Sequence, residues 1–416
     1  MTTSPSIEIE SWLIAFEPVA VRMQESLRAM IEFVLDGPGR PIDLCDRFNV
    51  GRTMAGRICR AIEAERVSDV ALLLPARPTM MRLIDEAERQ CTESPELVEE
   101  LRDAYQNFLR QITRIASTHQ ELTSVLSVHD PRLLRETAER RRATIFRAMT
   151  DEVGGYTEVS SLVAIDYPNK EDPSWGDSLI LTGLHGLRRI GVMQPIAVGA
   201  ISSDPTKKSE PESKHRIDGK PIDPVSSTVI RELSSSELPA LKAITTPDFV
   251  YSIFSGEDLP HGSPVDLVVG SVQDRWLKNI RPGETGTAQE SGYTNTPTKL
   301  LIIDLLVHKD MWPGIEPKFC AYNSLDIPEN SYPGDFWFRE VDYYTDLARI
   351  DSARLLEPIL GAPKHSKMIE YAIKNSGMDL SEFRIYRVGI RYPTPGHSYW
   401  MYFSRRPSSS LQPGSE

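Results

Sequence analysis

The chain has 416 residues, of which 40% are hydrophobic, and its 47 basic and 59 acidic side chains leave a net charge of −12. This length predicts two or three domains, and the acidic balance excludes a general nucleic-acid coat, so any DNA contact must come from a local basic surface. No apolar run approaches the roughly 20 residues that cross a bilayer, and the first ten residues lack the basic start and apolar core of a signal peptide. We therefore expect a cytoplasmic protein without membrane contact.

Helical patterns dominate residues 1–150, which we expect to form one helical domain. Residues 18–35 place apolar side chains at alternating spacings of three and four, and the pattern stops at Gly37-Pro38-Gly39. Residues 77–91 carry a second helical pattern. Both are typical of amphipathic helices that bury one face.

A third pattern predicts one long helix over residues 95–128. Ser94-Pro95-Glu96 supplies a capping side chain, a proline at the first helical position and an acid in the first turn. Apolar residues then follow at near-heptad spacing. Such a helix suits a homodimer seam formed by coiled-coil packing. The alternative is an intramolecular bundle with the first helix.

Residues 41–62, PIDLCDRFNVGRTMAGRICRAI, predict two short helices joined by a tight turn. Leu44 and Phe48 share one face of the first helix, and Asn49 is one of the few residues that tolerate a left-handed turn conformation. Met54, Ile58 and Ile62 would form the inner seam of the second helix. The side chains left on its outer face, with Gly56 between them, are Arg52, Thr53, Arg57 and Arg60.

This segment of about 22 residues resembles the helix-turn-helix of DNA-binding regulators. The resemblance implies that the second helix enters the major groove, where arginines reach phosphates and guanine edges. Asn49 stands where glycine is usual, and Gly56 inside the second helix costs roughly 1 kcal/mol relative to alanine. The alternative is a helix pair that serves only to pack a helical core.

A second basic segment begins at Asp130-Pro131, which starts another predicted helix. Its arginines include Arg140, Arg141 and Arg142 in succession. These three are candidates for contact with DNA phosphates. The alternative is a solvated helix face, with Glu136 and Arg140 as an ordinary i,i+4 pair.

After Gly154-Gly155, short β-branched and aromatic runs replace the helical patterns. Residues 151–405 are therefore expected to form a mostly antiparallel β-rich domain, which makes the fold class α+β. Predicted strands are 160–165, 178–182, 191–201, 249–254, 265–272, 299–307, 383–392 and 398–403. Short helices are predicted at 185–189, 344–356 and 367–376, and PTPGH should connect the last two strands as a hairpin. Residues 202–227 predict a polar loop and residues 406–416 a disordered tail.

Motifs of enzyme chemistry are absent from the sequence: there is no GxGxxG, GxxxxGK[ST], GxSxG or HExxH. His308 and Asp310, two residues apart at the end of an apolar strand, are the best local candidates for a metal or an acid–base pair. The alternative is a solvent-facing strand end. The four scattered cysteines predict neither a disulfide framework nor a metal site, and no cofactor is expected.

Together, the helix-turn-helix resemblance and the β-rich C-terminal region predict a DNA-binding transcriptional regulator. Its C-terminal domain would sense a small-molecule effector or form an oligomer. Two alternatives belong to other classes. In the first, the helix-turn-helix is a scaffold in a protein-interaction module; in the second, the β-rich domain is a metal-dependent enzyme at His308 and Asp310.

Overall fold

The computed structural model describes residues 5–127, 130–202, 213–219, 228–238, 240, 242–245, 249–323 and 340–405. Most of the predicted polar loop and all of the predicted tail lie outside these ranges. The chain divides into two compact units, Met1–Thr137 and Ala138–Glu416. Helices and strands are both abundant, in agreement with an α+β fold. None of the described helices is long and apolar enough to span a membrane.

Eight helices precede the first described strand. They are α1 (Pro5–Leu35), α2 (Pro41–Phe48), α3 (Arg52–Glu63), α4 (Val67–Leu73), α5 (Arg77–Gln90), α6 (Pro95–Ile112), α7 (His119–Ser127) and α8 (Pro131–Val153). The first unit has one apolar core. Its fully buried side chains include Phe16, Met23 and Leu27 of α1.

The predicted long helix over residues 95–128 is wrong, because α6 ends at Ile112 and α7 begins at His119. The Thr118 hydroxyl accepts a hydrogen bond from the Glu121 N–H, and the Glu121 carboxylate accepts one from the Ser117 N–H. These two bonds start a new helix, as the Thr-x-x-Glu spacing of a capping box does.

The apolar stripe of α6 is buried inside the first unit. Phe108 packs against Phe16 of α1, with ring centroids 5.3 Å apart, and the Trp12 indole N–H donates to the Gln111 carbonyl. Leu101 and Ala104 are also buried. The stripe therefore forms the intramolecular bundle that the sequence left open, and it does not provide the predicted dimer seam.

The division between the units falls at residues 137 and 138, inside α8, rather than at the predicted 150 and 151. The second half of this helix packs against the strand-rich unit. The Phe146 ring lies 5.9 Å from that of Tyr156 and 5.4 Å from that of Tyr392. Residues 138–153 therefore belong to the second unit, where Phe146 has its aromatic contacts.

After the end of α8, the second unit contains thirteen described strands and two described α-helices. They are β1 (Gly155–Pro168), β2 (Trp175–Arg189), β3 (Ile196–Ser202), β4 (Ser213–His215), β5 (Lys242–Thr245), β6 (Phe249–Phe254), β7 (Val265–Lys278), β8 (Gly286–Tyr293), β9 (Thr298–His308), β10 (Lys318–Tyr322), β11 (Ala348–Ile350), α9 (Ser352–Leu355), α10 (His365–Ser376), β12 (Phe383–Arg391) and β13 (Ser398–Arg405).

Three sheets are formed by these strands. The central sheet has seven strands in the order β11-β12-β9-β1-β2-β7-β4, and the two smaller sheets have the orders β10-β13-β8 and β3-β6-β5. Within the described strands, the β1–β9 pair is parallel and the others are antiparallel. The central sheet is therefore mixed, with its one parallel pair at the middle.

Helix α10 and the β10-β13-β8 sheet cover opposite faces of the central sheet. Because side chains alternate along a strand, Val163 and Ile165 of β1 pack with Met368 of α10, whereas Leu162 packs with Phe403 of β13. Two apolar layers thus enclose the central sheet.

Three local predictions in this unit are wrong. Residues 185–189 continue strand β2 instead of forming a helix, and residues 344–356 contain β11 and the four-residue α9. PTPGH does not close a hairpin, because β12 pairs with β9 while β13 pairs with β10 and β8. The PTPGH segment instead carries the chain from one sheet to another.

Candidate functional site

Helices α2 and α3 are joined by a three-residue turn. Asn49 adopts the left-handed conformation, with φ of 50° and ψ of 45°, as its residue type predicted. Leu44 and Phe48 are buried on α2. The N-cap of α3 is Gly51, which has no side chain that could accept a hydrogen bond from the first turn. The first N–H groups of α3 therefore have no side-chain cap.

The buried face of α3 consists of Ala55, Ile58 and Ala61. Ile58 lies where the sequence predicted it, and Met54 and Ile62 are partly buried against the same core. The opposite face carries the exposed side chains of Arg52, Thr53 and Arg60. Gly56 lies among them, and a Cβ atom built on it would meet nothing within 4 Å.

Arg57 differs from the other predicted groove residues. Its Nη2 atom donates a hydrogen bond to the Leu72 carbonyl at 2.9 Å, and its side chain is partly buried. The same carbonyl lies 3.1 Å from His119 Nε2. Arg57 therefore ties α3 to α4, and it does not belong to the exposed face.

The three consecutive arginines of α8 have different environments. Arg140 and Arg141 are exposed. The Arg142 guanidinium lies 4.7 Å from the centre of the Tyr343 ring, its Nε donates to the Arg391 carbonyl, and burial lowers its pKa. Arg142 thus stabilises the packing of α8 by a cation–π contact, and the prediction that it contacts phosphate is not supported.

His308 and Asp310, the candidates for a metal or an acid–base pair, lie close together, with His308 Nδ1 3.6 Å from an Asp310 carboxylate oxygen. The Asp310 N–H donates to His308 Nδ1 at 3.2 Å, and His308 Nε2 lies 3.7 Å from a Glu382 carboxylate oxygen. The His308 ring packs edge-on against Phe383. Among the described residues, no group of three or more His, Cys, Asp or Glu side chains is arranged to hold a metal ion.

A buried carboxylate that the sequence analysis missed lies in the centre of the second unit. Asp304 of β9 is fully buried, with one oxygen 2.7 Å from His365 Nε2. Arg387 donates to both Asp304 oxygens, at 2.6 Å from Nε and 2.8 Å from Nη2. The interaction joins β9, β12 and the start of α10, and it satisfies a charge that burial would otherwise make costly.

Ser161 and His185 form a second buried pair, with 3.0 Å between the Ser161 hydroxyl and His185 Nε2. Gly183 makes this contact possible, because a Cβ there would lie 2.6 Å from the imidazole and 2.7 Å from the hydroxyl. Burial lowers the pKa of His185 to about 4. His185 Nδ1 has no hydrogen-bond partner within the described part of the chain, so the pair lacks there the third group that orients a catalytic base.

Asp166 and Glu290 bring two carboxyl groups together between the central sheet and β8. Asp166 is fully buried and Glu290 is 5% exposed. Among the described residues, no group meets both the distance and the angle of a hydrogen bond to either Asp166 oxygen, although the Ser178 and Glu290 side chains lie close to it. Burial raises the pKa of Asp166 to about 7, and burial together with Asp166 raises that of Glu290. The pair therefore holds protons more tightly than ordinary carboxylates do.

These buried groups left weak signals in the sequence. Asp304 is a single carboxylate inside the apolar run LLIIDLLV, a pattern typical of a buried ion pair. Its partners lie 61 and 83 residues further along the chain, so periodicity alone could not identify them.

Comparison with known proteins returned neither a matching family model nor a matching curated protein.

Proposed function

We propose that this chain is a DNA-binding transcriptional regulator that contacts DNA through the exposed face of α3. The observation that carries the proposal is the combination of Arg52, Thr53 and Arg60 on one side of a helix with a buried face opposite. In this proposal, α2 and α3 form a helix-turn-helix, and the second unit senses an effector or forms an oligomer.

The geometry of α3 fits a recognition helix. Arg52 and Thr53 begin the helix, and recognition helices place their N-terminal residues at base edges. Arg60 lies two turns further along the same side. Gly56 leaves open space between them, which allows a close approach of the helix to the groove floor.

The type of charge also supports the proposal. No lysine precedes Lys170, so every basic side chain of the helical region, apart from its histidines, is an arginine. A guanidinium presents a planar fork of donors that matches phosphate oxygens or the O6 and N7 atoms of guanine. Each arginine that neutralises a phosphate releases counterions, so we expect binding to weaken as the salt concentration rises.

The test is retention of genomic DNA fragments by the full-length protein at low and moderate salt, followed by sequencing. The test variant is Arg52→Ala/Arg60→Ala. The control variant is Arg110→Ala/Arg114→Ala, which removes two exposed arginines from the same unit. We expect selective retention by the wild type and the control and its loss in the test variant. The slope of log affinity against log salt concentration should become shallower by about 2 in the test variant.

Equal retention by both double variants would refute the role of α3, and unselective retention by the wild type would refute the regulator. In the second case, α2 and α3 would be the scaffold of a protein-interaction module. Arg57→Ala provides a further distinction, because its bond to Leu72 predicts a loss of stability rather than a specific loss of DNA contact.

A further inference from the structure

A cavity of about 180 Å³ lies inside the second unit. One wall is the face of the central sheet that carries Leu162 and Leu267. The other wall is the end of β8 and the segment that connects it to β9, including Thr294. Asp304 does not border this space.

Uncharged side chains line this space. Of the 18 described residues that border it, none is Asp, Glu, Lys, Arg or His. The apolar members are Leu162, Ile180, Leu184, Ile196, Ala197, Leu267, Val269 and Leu301. Serine, threonine, asparagine and tyrosine make up the remainder, with Gly292. A charged ligand would lose its hydration here without gaining an ion pair.

Thr294 supplies an independent indication of a ligand. It lines the cavity, it is 3% exposed, and its hydroxyl has no hydrogen-bond partner among the residues that the structure describes. By contrast, the hydroxyl of Thr298, which also lines the cavity, donates to the Thr296 carbonyl at 2.8 Å. A buried hydroxyl without a partner costs free energy, and a ligand with one polar group would remove that cost.

The volume limits the size of the ligand. A protein cavity of about 150 Å³ lined by apolar side chains binds benzene, so a space of about 180 Å³ holds one ring with a small substituent. Three of the residues that border this space, Ser291, Tyr293 and Asn295, are exposed.

We propose that this cavity binds a small uncharged molecule, the size of one ring carrying a single hydroxyl or carbonyl group, whose polar atom hydrogen-bonds to Thr294. The proposal of a ligand site depends only on the geometry of the second unit. Its role as an effector site rests on the proposed function, because the bound ligand would then set the affinity for DNA.

The experiment measures binding of three probes to the full-length protein by ligand-detected NMR. Phenol carries the expected ring and hydroxyl, toluene has the same shape without a hydrogen-bonding group, and benzoate adds a charge. We expect phenol to bind about tenfold more tightly than toluene, since one neutral hydrogen bond contributes about that factor. Benzoate should bind at least tenfold more weakly than phenol.

Two variants locate the site. Thr294→Val keeps the shape and removes the hydroxyl, so phenol should lose its advantage over toluene while toluene binding stays unchanged. Thr182→Phe fills the cavity from a half-buried position and should weaken phenol and toluene alike by at least tenfold. Urea unfolding first establishes that each variant has the same unfolding midpoint as the wild type. Thr298→Val is the matched control.

Absence of phenol binding up to about 10 mM would overturn the proposal, as would an unchanged phenol preference in Thr294→Val. Since these measurements contain no DNA, they fail or succeed independently of the proposed regulator. The effector role is tested separately by DNA retention with and without saturating phenol. A protein that binds phenol and DNA without any change in DNA affinity would keep the ligand site and lose its regulatory role.

Discussion

Replacing Asp166 with asparagine should stabilise the second unit at pH 8 and not at pH 5. Burial raises the pKa of Asp166 to about 7, and the neighbouring Ser178 and Glu290 side chains offset this only in part. An unfolded aspartate has a pKa near 3.9. Between these values the folded state binds more protons than the unfolded state, so stability declines as pH rises from about 4 to about 7.

The magnitude follows from the difference of about 3 pKa units. At roughly 1.4 kcal/mol per unit, ionising Asp166 in the folded protein costs up to about 4 kcal/mol at pH 8. Asparagine has the same shape, carries no charge, and can donate to the neighbouring Glu290 carboxyl group. Imperfect pairing of the amide would cost about 1–2 kcal/mol, which leaves an expected gain of about 2 kcal/mol at pH 8.

Urea unfolding followed by tryptophan fluorescence measures this gain. Five of the six tryptophans follow residue 150, so the signal reports mainly on the second unit. His185 titrates in both proteins, and its effect cancels in the comparison at equal pH. Asp310→Asn is the control, because the Asp310 side chain is 69% exposed. An asparagine variant that loses similar stability at pH 5 and pH 8 would refute the proton-holding role of the pair.

Three further substitutions should lower stability for different reasons. Asp304→Asn should cost about 3 kcal/mol in urea unfolding, because it leaves Arg387 without its buried counter-ion; a loss below 1 kcal/mol would contradict this. Gly183→Ala should cost at least about 2 kcal/mol by overpacking, whereas Gly389→Ala, where a Cβ meets nothing within 4 Å, should change the thermal midpoint little. Asn49→Ala should lower the free energy of unfolding by about 1 kcal/mol, because residue 49 has a left-handed backbone conformation that alanine disfavours. Asn49→Gly should not lower it if that reason is correct.

Strand positions in the second unit could largely be predicted from the sequence, because β-branched and apolar runs mark them. All eight predicted strands overlap described strands, and 249–254 coincides with β6. Strand β8, GTAQESGY, was missed because its inward residues are Ala288, Glu290 and Gly292, which give no apolar alternation. Pairing could not be predicted either, since the parallel partner of β1 is β9, far along the chain.

The candidate contact surface on α3 could be predicted in part. Helical periodicity correctly assigned Ile58 to the buried face and Arg52, Thr53 and Arg60 to the exposed face. The bond from Arg57 to the Leu72 carbonyl depends on where α4 lies, which no local pattern specifies. Arg142 was misassigned for the same reason, because its aromatic partner is 201 residues further along the chain.

The parallel pairing of β1 with β9 has a consequence for how the protein is made. Thr157 pairs with Thr298, so 141 residues separate the two strands at the middle of the sheet. At about 5–20 residues per second, a ribosome needs roughly 7–30 s to complete the partner strand. During that time β1 can pair with β2, but the backbone N–H and C=O groups on its other edge have no partner strand. The nascent chain should therefore depend on chaperones over this interval, well after the helices of the first 137 residues have left the ribosome.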